Sequence, residues 1–274
     1  MITITNKEFH ELAEYIRTNY GINLKEEKKV LLTGRLQQVL LSTKCTSFTE
    51  YFRYITQDKT GEAAVVLLNK ITTNHTFFMR EADHFEYFQN KVLPYWKQRL
   101  TEKDLRIWCA ASSTGEEPYT LAMLIDNFLG EERFFWDSRL LATDISEQVL
   151  KLAIKGIYSK ERIDPLPPLW RQKYFVPYGT ENMVVCDRIK QQVIFRKFNL
   201  MEEVFPFKRR FHVIFCRNVM IYFNQETKNQ LISKLLNHLE PGGFLFIGHS
   251  ESLDRMKYKV EYVMPSVYKK MEKE

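Results

Sequence analysis

Apolar residues in the first quarter of the chain recur at the spacing of an amphipathic helix. The first set is Phe9, Leu12, Ala13 and Ile16. Similar sets continue to residue 71, with breaks at Gly21, at residues 42–47 and at Thr60-Gly61. Spacings of three and four residues place apolar side chains on one face of a helix. Residues 1–72 are therefore predicted to form an N-terminal domain of about four short helices.

From about residue 103, short apolar runs alternate with amphipathic stretches. The predicted strands are 105–111, 138–144, 193–198, 211–216, 244–248, 260–263 and 267–269. The predicted helices are 118–129, 147–154 and 226–239, the last one ended by Pro241-Gly242-Gly243. Strands that alternate with helices indicate an α/β fold with a parallel sheet and right-handed crossovers. The last two strands are predicted to form a hairpin that adds an antiparallel strand.

Two further segments separate these patterns. Residues 73–102 are a polar and aromatic connector followed by a helical stretch from 85 to 100. Residues 156–192 interrupt the alternation with a proline-rich stretch and two short apolar runs, which predict a small inserted β-subdomain with helices. The α/β domain is thus expected to cover 103–274 and to contain this insertion. Insertions of this kind usually lie beside the ligand site.

Composition and charge describe an ordinary globular protein. Hydrophobic residues make up 45% of the 274 positions, and no apolar run approaches the roughly 20 residues of a membrane helix. Because the N-terminus also lacks a signal-peptide pattern, we expect a cytoplasmic protein without membrane insertion. The net charge of +6 is spread without a Lys/Arg tract, which argues against nucleic acid as a partner. The four cysteines and six histidines are dispersed, and their spacing predicts neither a disulfide nor a metal.

Residues 106–122 have the pattern of a buried strand, a turn of small residues and a helix start. In doubly wound folds this arrangement binds a nucleotide. The turn has one glycine, Gly115, and is followed at once by Glu116 and Glu117, which would repel a phosphate. Two carboxylates suit a ligand that carries an ammonium and a sulfonium group, the charge pattern of S-adenosylmethionine. The alternative is that both acids only complement the helix dipole.

Polar residues follow the ends of three other predicted strands. Asp144 closes the second strand, 29 positions after Gly115, where an acid can accept hydrogen bonds from both ribose hydroxyls of a nucleoside. Asn199-Leu200 and Arg217-Asn218 follow later strands. Because the carboxyl ends of parallel strands share one edge, we expect these residues to converge with Glu117 in a ligand site. Taken singly, each could be a helix-end charge, a turn cap or a loop former.

Two groups of basic residues are candidates for recognition. Arg80 lies among aromatic residues of the connector and offers a fixed fork for a carboxylate. Four more basic residues lie near the start and along one side of the second predicted helix, namely Lys25, Lys28, Lys29 and Arg35. They could form a docking face for an acidic helical substrate. The alternative is an ordinary solvated helix surface.

Several motifs carry a resemblance to a known family. They are Thr73–Arg80, Ser113–Tyr119, Ala142–Ser146, Asn199-Leu200, Phe215–Phe223 and Gly248-His249-Ser250. Over nearly the whole chain they resemble the chemotaxis receptor methyltransferases, the CheR family. The resemblance implies a Rossmann-like, class I S-adenosylmethionine-dependent methyltransferase sheet with a small inserted β-subdomain and an all-α N-terminal domain. It further implies a protein-glutamate O-methyltransferase that acts on the cytoplasmic helical bundle of methyl-accepting chemotaxis receptors and releases S-adenosylhomocysteine.

The resemblance also assigns roles by motif position. The implied cofactor contacts are Asn74, Thr76, Arg80, Glu117, Asp144, Asn199, Leu200, Arg217 and Asn218. Arg80 and Tyr222 are the implied catalytic residues, and the basic residues of the second helix are the implied receptor-docking residues. Residues 177–183 depart from the pattern, because some members have a Gly-rich loop here that binds a receptor C-terminal pentapeptide, whereas this segment is short and has one glycine. We therefore expect the protein to engage receptors without this tether. We also expect a monomer.

Two other functions are considered. A nucleic-acid or small-molecule methyltransferase could use the same sheet, but no Asn/Asp-Pro-Pro-Tyr/Phe signature lies at a strand end, and the corresponding tip is Arg217-Asn218-Val219. A non-catalytic module that senses S-adenosylmethionine or docks receptors is the second alternative, which Arg80 and Tyr222 disfavour.

A glutamate substrate, with a usual pKa of about 4.3, is ionised near neutrality and needs no general base.

Overall fold

The computed structural model describes residues 2–72 and 75–272. They form two compact units. The first, called here the helical unit, comprises Met1–His75 and Tyr222–Lys228. The second, called the sheet unit, comprises Thr76–Ile221 and Asn229–Glu274. Across the described residues, every helix is too short or too polar to cross a membrane.

The described part of the helical unit contains four complete α-helices. They are α1 (Asn6–Tyr20), α2 (Lys29–Ser42), α3 (Phe48–Gln57) and α4 (Glu62–Ile71). A capping box begins α1, because the Thr5 hydroxyl accepts the N–H of Glu8 and the Glu8 carboxylate accepts the N–H of Thr5. Gly21 ends the helix at φ 72°, a conformation that glycine adopts without strain. The predicted number of helices in this part of the chain is confirmed.

Two sheets lie in the sheet unit. The larger one contains β1 (Ile107–Cys109), β2 (Leu140–Asp144), β6 (Val193–Lys197), β7 (Phe211–Cys216), β8 (Leu239–Ile247), β9 (Val260–Met264) and β10 (Val267–Lys270). Its strand order is β6-β2-β1-β7-β8-β10-β9. The pairs among β6, β2, β1, β7 and β8 are parallel, whereas β10 pairs antiparallel with both β8 and β9. The predicted α/β fold with a parallel sheet and a terminal antiparallel hairpin is confirmed.

The helices of the sheet unit follow the predicted alternation. They include α7 (Glu116–Leu129), α8 (Glu147–Lys155) and α12 (Gln225–Asn237). The helix predicted at 85–100 is observed as α5 (Ala82–Tyr87) and α6 (Leu93–Arg99), joined by a π-helical segment, Phe88–Val92. Pro94 lies in the first turn of α6 and has no N–H to donate to the preceding turn. The missing hydrogen bond favours the wider π-helical turn before it.

The start of β8 differs from the prediction. We expected Pro241-Gly242-Gly243 to separate α12 from a strand at 244–248, whereas β8 begins at Leu239 and contains all three residues. Its pairing with β7 shifts register between Phe211 and Val213. A Cβ on Gly243 would lie 2.8 Å from the carbonyl of Glu240, so glycine is needed where the strand bends. These glycines mark an irregularity within a strand and not its end.

The predicted insertion contains short strands and helices. The second sheet has β3 (Ile157–Ser159), β4 (Phe175–Tyr178) and β5 (Asn182–Val185), in the order β3-β5-β4. The accompanying helices are α9 (Lys160–Ile163), α10 (Pro168–Tyr174) and α11 (Asp187–Lys190). Tyr158 of β3 donates a hydrogen bond to the carbonyl of Thr114 at 2.7 Å. The small sheet is thereby attached to the turn after β1, where the sequence predicts a ligand.

Candidate active site

Four predicted site residues lie at one edge of the large sheet. Glu117 is in the first turn of α7, after β1, and Asp144 is the last residue of β2. Arg217 and Asn218 directly follow β7. Because β2, β1 and β7 are parallel neighbours, their carboxyl ends lie side by side. Ligands of open α/β sheets bind in the crevice at this edge.

Arg217 is buried between two carboxylates. Its side chain is 2% exposed, Nη1 donates to Glu117 Oε2 at 2.7 Å, and Nη2 donates to Glu81 Oε2 at 2.9 Å. Nη2 also donates to the carbonyl of Arg80. Burial acts to lower the pKa of Arg217, but the two carboxylates outweigh it and raise this pKa above its usual value. The positive charge of Arg217 is thus already matched by anions within the protein.

Glu81 is a site residue that the sequence analysis missed. Its Oε1 accepts a hydrogen bond from Asn218 Nδ2 at 3.0 Å, in addition to those that its Oε2 accepts from Arg217. Burial acts to raise the pKa of Glu81, but the charge of Arg217 and the Asn218 amide lower it below the usual value. The motif considered from sequence ended at Arg80, and a partner 136 positions away leaves no local pattern.

The two acids after Gly115 have different environments. Glu117 accepts from Arg217 through one oxygen and from the Cys109 thiol at 2.9 Å through the other. Burial raises the pKa of Cys109 well above its usual value, so the thiol keeps its proton and acts as a donor. Glu116 is fully buried and binds Arg162 Nη2 at 2.6 Å. We therefore expect Glu117, and not the buried Glu116, to face the ligand.

Asp144 connects the turns that follow β1 and β2. Its Oδ2 accepts the N–H of Ser113 at 2.8 Å, and its Oδ1 accepts the N–H of Ser146 at 3.0 Å. Burial raises the pKa of Asp144, although the backbone N–H groups of Ser146, Ser113 and Ile145 act in the opposite direction. Each carboxylate oxygen has two lone pairs, so acceptor capacity remains for the hydroxyl groups of a ligand.

Several residues around this edge have a left-handed backbone. Positive φ angles occur at Met79 (61°), Glu81 (58°), Ser113 (47°) and Asn218 (57°). Such conformations are uncommon for residues other than glycine and cost of the order of 1–3 kcal/mol each. They persist only where surrounding contacts fix the backbone. Four of the seven such residues other than glycine in the described chain lie on loops around this edge.

Glu251 is a second residue that the sequence analysis missed. Its carboxylate is buried and accepts the N–H groups of Gly248, Asn218 and Ile221 at 2.6, 3.2 and 3.1 Å. Burial raises its pKa, while these backbone donors act to lower it. Glu251 therefore ties the loop after β7 to the end of β8. The motif Gly248-His249-Ser250 stopped one residue short of it.

The remaining predicted cofactor contacts are less closely connected to Arg217. Asn199 Oδ1 accepts the N–H of Met201 at 3.0 Å, which is the local turn considered as its alternative role, and Leu200 is buried. Arg80 and Thr76 are half-buried, and the carbonyl of Thr76 accepts from Arg162. Asn74 lies outside the described residues.

Tyr222 belongs to the helical unit. It ends a 3₁₀ turn, and its carbonyl accepts the N–H of Asn23 at 2.8 Å. Phe223 forms an isolated antiparallel bridge with Ile22. The backbone contacts of Tyr222 are thus made with the segment that follows α1, and its catalytic role stays a prediction.

The predicted basic face needs correction. Helix α2 begins at Lys29. Lys28 therefore lies in the 3₁₀ turn before the helix, and Lys25 precedes that turn. Leu32, between Lys29 and Arg35 in α2, is 3% exposed and packs in the core. Lys29 binds Asn6 Oδ1, and Arg35 Nη1 donates to the carbonyl of Lys70 at 3.0 Å, at the end of α4. Arg35 and Lys29 have structural partners, whereas the side chains of Lys25 and Lys28 are exposed.

The donor set at the sheet edge fits S-adenosylmethionine. Glu81, Glu117 and Asp144 supply three carboxyl groups, of which two bind the buried guanidinium of Arg217. This surplus of acids favours a cationic ligand over a phosphate. Glu117 and Asp144 are the residues that would hold the donor's charged and hydroxyl groups.

Comparison with known proteins agrees with this chemistry. Residues 74–268 match the family domain "CheR methyltransferase, SAM binding domain", and residues 7–72 match "CheR methyltransferase, all-alpha domain". A chemotaxis protein methyltransferase of Borreliella burgdorferi is 42% identical, with 98% of this chain and 96% of the relative covered. A probable one of Rhizobium etli is 36% identical (86% and 89% covered), and that of Escherichia coli is 32% identical (97% and 92% covered). The chain therefore belongs to the CheR family of chemotaxis protein methyltransferases, which use S-adenosylmethionine.

Proposed function

We propose that this protein transfers the methyl group of S-adenosylmethionine to glutamate side chains of methyl-accepting chemotaxis receptors. The observation that carries this proposal is Arg217, held between Glu81 and Glu117 at the ligand edge of the sheet. With its cation matched, the edge keeps a surplus of carboxylates that suits a sulfonium donor. The names of the relatives connect the family to chemotaxis, and the helical bundle of the receptor is the proposed substrate.

The bound donor supplies an electrophilic methyl group. Transfer forms a bond between a glutamate oxygen and the methyl carbon and breaks the carbon–sulfur bond, whose electron pair stays on sulfur in S-adenosylhomocysteine. The incoming carboxylate is already ionised, so no protein base has to remove a proton. What the chain provides is alignment, worth about 7–11 kcal/mol in favourable cases, and exclusion of water from charges that cancel during the reaction.

The proposed roles of individual residues follow from their chemistry. Asp144 accepts hydrogen bonds from ribose hydroxyls, and Glu117 stabilises a positive group of the donor. Arg80 binds a carboxylate, either that of the donor or that of the incoming glutamate, and Tyr222 donates a hydrogen bond near the methyl group. The further proposed cofactor contacts are Asn74, Thr76, Asn199, Leu200, Arg217 and Asn218.

Receptor engagement is proposed to need no C-terminal pentapeptide. The connection between β4 and β5 consists of residues 179–181 and has one glycine, which leaves little loop for binding a peptide. Lys25 and Lys28, together with Lys29 and Arg35, are the proposed contacts for acidic receptor helices. We also propose a cytoplasmic monomer with domains at 1–72, 73–102 and 103–274, an insertion at 156–192, and no nucleic-acid partner.

The decisive experiment is methyl transfer from radiolabelled S-adenosylmethionine to a receptor cytoplasmic fragment. We expect label on the receptor that mild alkali releases, because a glutamate methyl ester is base-labile. A fragment without the C-terminal pentapeptide should be labelled at the same rate. Base-stable label, or label on nucleic acid, would support the alternative methyltransferase, and donor binding without any transfer would support a non-catalytic module.

A further inference from the structure

Two histidines that are 165 positions apart meet beside Glu81. His84 Nδ1 lies 3.5 Å from Glu81 Oε2, and His249 Nε2 lies 4.0 Å from the same oxygen. The three ligand atoms are all within 4.8 Å of one another. The spacing of these residues along the chain predicts no metal, because it does not report on residues that the fold brings together.

The orientation of His84 leaves a lone pair directed at a carboxylate. The ring is fully buried, and Nε2 lies 3.2 Å from the carbonyl of Pro265. Since a carbonyl only accepts, Nε2 carries the hydrogen and Nδ1 is the acceptor nitrogen. Among the described residues Nδ1 has no hydrogen-bond donor.

Two acceptors that face each other in a buried position require an explanation. A buried polar atom without a partner is rare, and a bound ion is one of the usual reasons for it. A cation between His84 Nδ1 and Glu81 Oε2 would give Nδ1 a partner, whereas Oε2 already accepts from Arg217. A hydrogen bond from the second ring nitrogen to a backbone carbonyl, as His84 makes to Pro265, is typical of histidines that bind metals.

The distances fit a small transition-metal cation. Zinc–nitrogen and zinc–oxygen bonds of about 2.0–2.2 Å place tetrahedral ligand atoms roughly 3.3–3.6 Å apart. The separation of 3.5 Å between His84 and Glu81 meets this requirement. The separation of 4.0 Å between His249 and Glu81, and that of up to 4.8 Å between the two histidines, require an inward movement of His249, which is 41% exposed. Asp83 Oδ2, 3.2 Å from His249 Nε2, adds an oxygen at the rim.

We propose that Glu81, His84 and His249 form a binding site for a divalent transition-metal cation of the zinc type, with Asp83 as an additional ligand. Imidazole nitrogen and carboxylate oxygen are suitable donors for such ions. The guanidinium of Arg217 shares Glu81 Oε2 and lowers the affinity relative to a site without it. Because Glu81 also holds Arg217 and Asn218, the cation competes for a carboxylate of the active site and inhibits methyl transfer.

Titration of the full chain with Co²⁺, followed by visible absorption, and with Zn²⁺, followed by calorimetry, tests the site directly. We expect one ion per chain and at least tenfold weaker binding in His249→Gln, whose partly exposed side chain can be replaced without loss of the fold. His10→Gln is the matched control, because His10 is an exposed histidine that lies 3.2 Å from an acid, Glu26, and its loss should leave the affinity unchanged.

Equal affinities of His249→Gln and the wild type would overturn the proposal, as would a thiolate-to-cobalt charge-transfer band that indicates cysteine ligands. The inhibition rests on the proposed function and has its own measurement, the methyl-transfer rate with and without Zn²⁺. Failure to methylate receptors would leave the metal titration interpretable. The two proposals can therefore fail independently.

Discussion

Glu117 divides its two oxygens between the Arg217 guanidinium and the Cys109 thiol. In Glu117→Gln the side chain keeps its size and loses its charge. We expect the dissociation constant of S-adenosylmethionine to rise at least tenfold, about 1.4 kcal/mol, because the edge has one carboxylate fewer for a cationic ligand. Calorimetry with S-adenosylmethionine and S-adenosylhomocysteine measures this change.

The neighbouring acid provides the control for that measurement. Glu116→Gln also removes a carboxylate, but one that is fully buried against Arg162. Its cost should appear in the free energy of unfolding, since the substitution removes the charge that strengthens the hydrogen bond from Arg162 to this buried side chain. A larger loss of cofactor affinity in Glu116→Gln than in Glu117→Gln would contradict our assignment.

His212 predicts a pH dependence of stability. Burial, Arg106 and Arg209 lower the pKa of His212 to about 3, although Asp104 acts to raise it. The Nδ1 atom of His212 accepts the N–H of Arg106. Between the usual histidine pKa of about 6.5 and the folded value, only the unfolded chain binds the extra proton. The free energy of unfolding should therefore fall with decreasing pH, by up to about 1.4 kcal/mol per unit for this group.

Replacement of His212 by Asn tests this contribution. Asparagine can still accept from Arg106 but does not titrate. Urea unfolding from pH 7 to pH 4 should give a shallower slope of stability against pH for His212→Asn than for the wild type. Parallel slopes would show that another group dominates this range.

At the scale of elements, the end of β8 determines the position of the loop after β7. A Cβ on Gly248 would lie 2.8 Å from the backbone nitrogen of Asn218. Gly248→Ala should therefore displace this loop and weaken S-adenosylmethionine binding at least tenfold, measured by calorimetry. Gly34, in α2, has no atom within 4 Å of the corresponding position, and Gly34→Ala should instead stabilise the helix by about 0.5–1 kcal/mol. Unchanged affinity in Gly248→Ala would separate this loop from the cofactor.

Elements were predictable from sequence where one local rule decided them. The period of apolar residues located α1 to α4, and a run of apolar residues between breaks located β7 at its observed bounds. The rule failed at β8, where the glycines allow a bend within the strand and do not precede it. It also failed for the predicted basic side of the second helix, because α2 begins only at Lys29, and Lys29 and Arg35 bond to other parts of the helical unit.

The residues of the site likewise divide into those that a local rule predicts and those that it does not. Asp144, Arg217 and Asn218 were predictable because they follow strands, and parallel strands place their ends together. Glu81 and Glu251 were missed because their importance comes from bonds to distant parts of the chain, to Arg217 and to the N–H groups of Asn218 and Ile221. A carboxylate that accepts backbone N–H groups has no sequence pattern of its own.

At the scale of the whole molecule, receptor docking and methyl transfer are assigned to different units. Lys25 and Lys28 are exposed residues of the helical unit, whereas Glu117 and Asp144 belong to the sheet unit. The double substitution Lys25→Glu and Lys28→Glu should raise KM for the receptor at least fivefold through charge repulsion and leave kcat unchanged. Steady-state kinetics measures both, with the exposed Lys59→Glu as control. A fall in kcat at unchanged KM would contradict the docking role.

The burial of Arg217 also has a consequence for ionic strength. Charges at the surface are screened within about 8 Å at physiological salt, whereas buried pairs are screened much less. An attraction that depends on exposed lysines weakens as salt increases. The attraction within the triad of Glu81, Arg217 and Glu117 weakens much less, because the guanidinium is 2% exposed. If receptors dock through the exposed lysines as proposed, added salt should therefore loosen receptor binding while this internal triad stays formed.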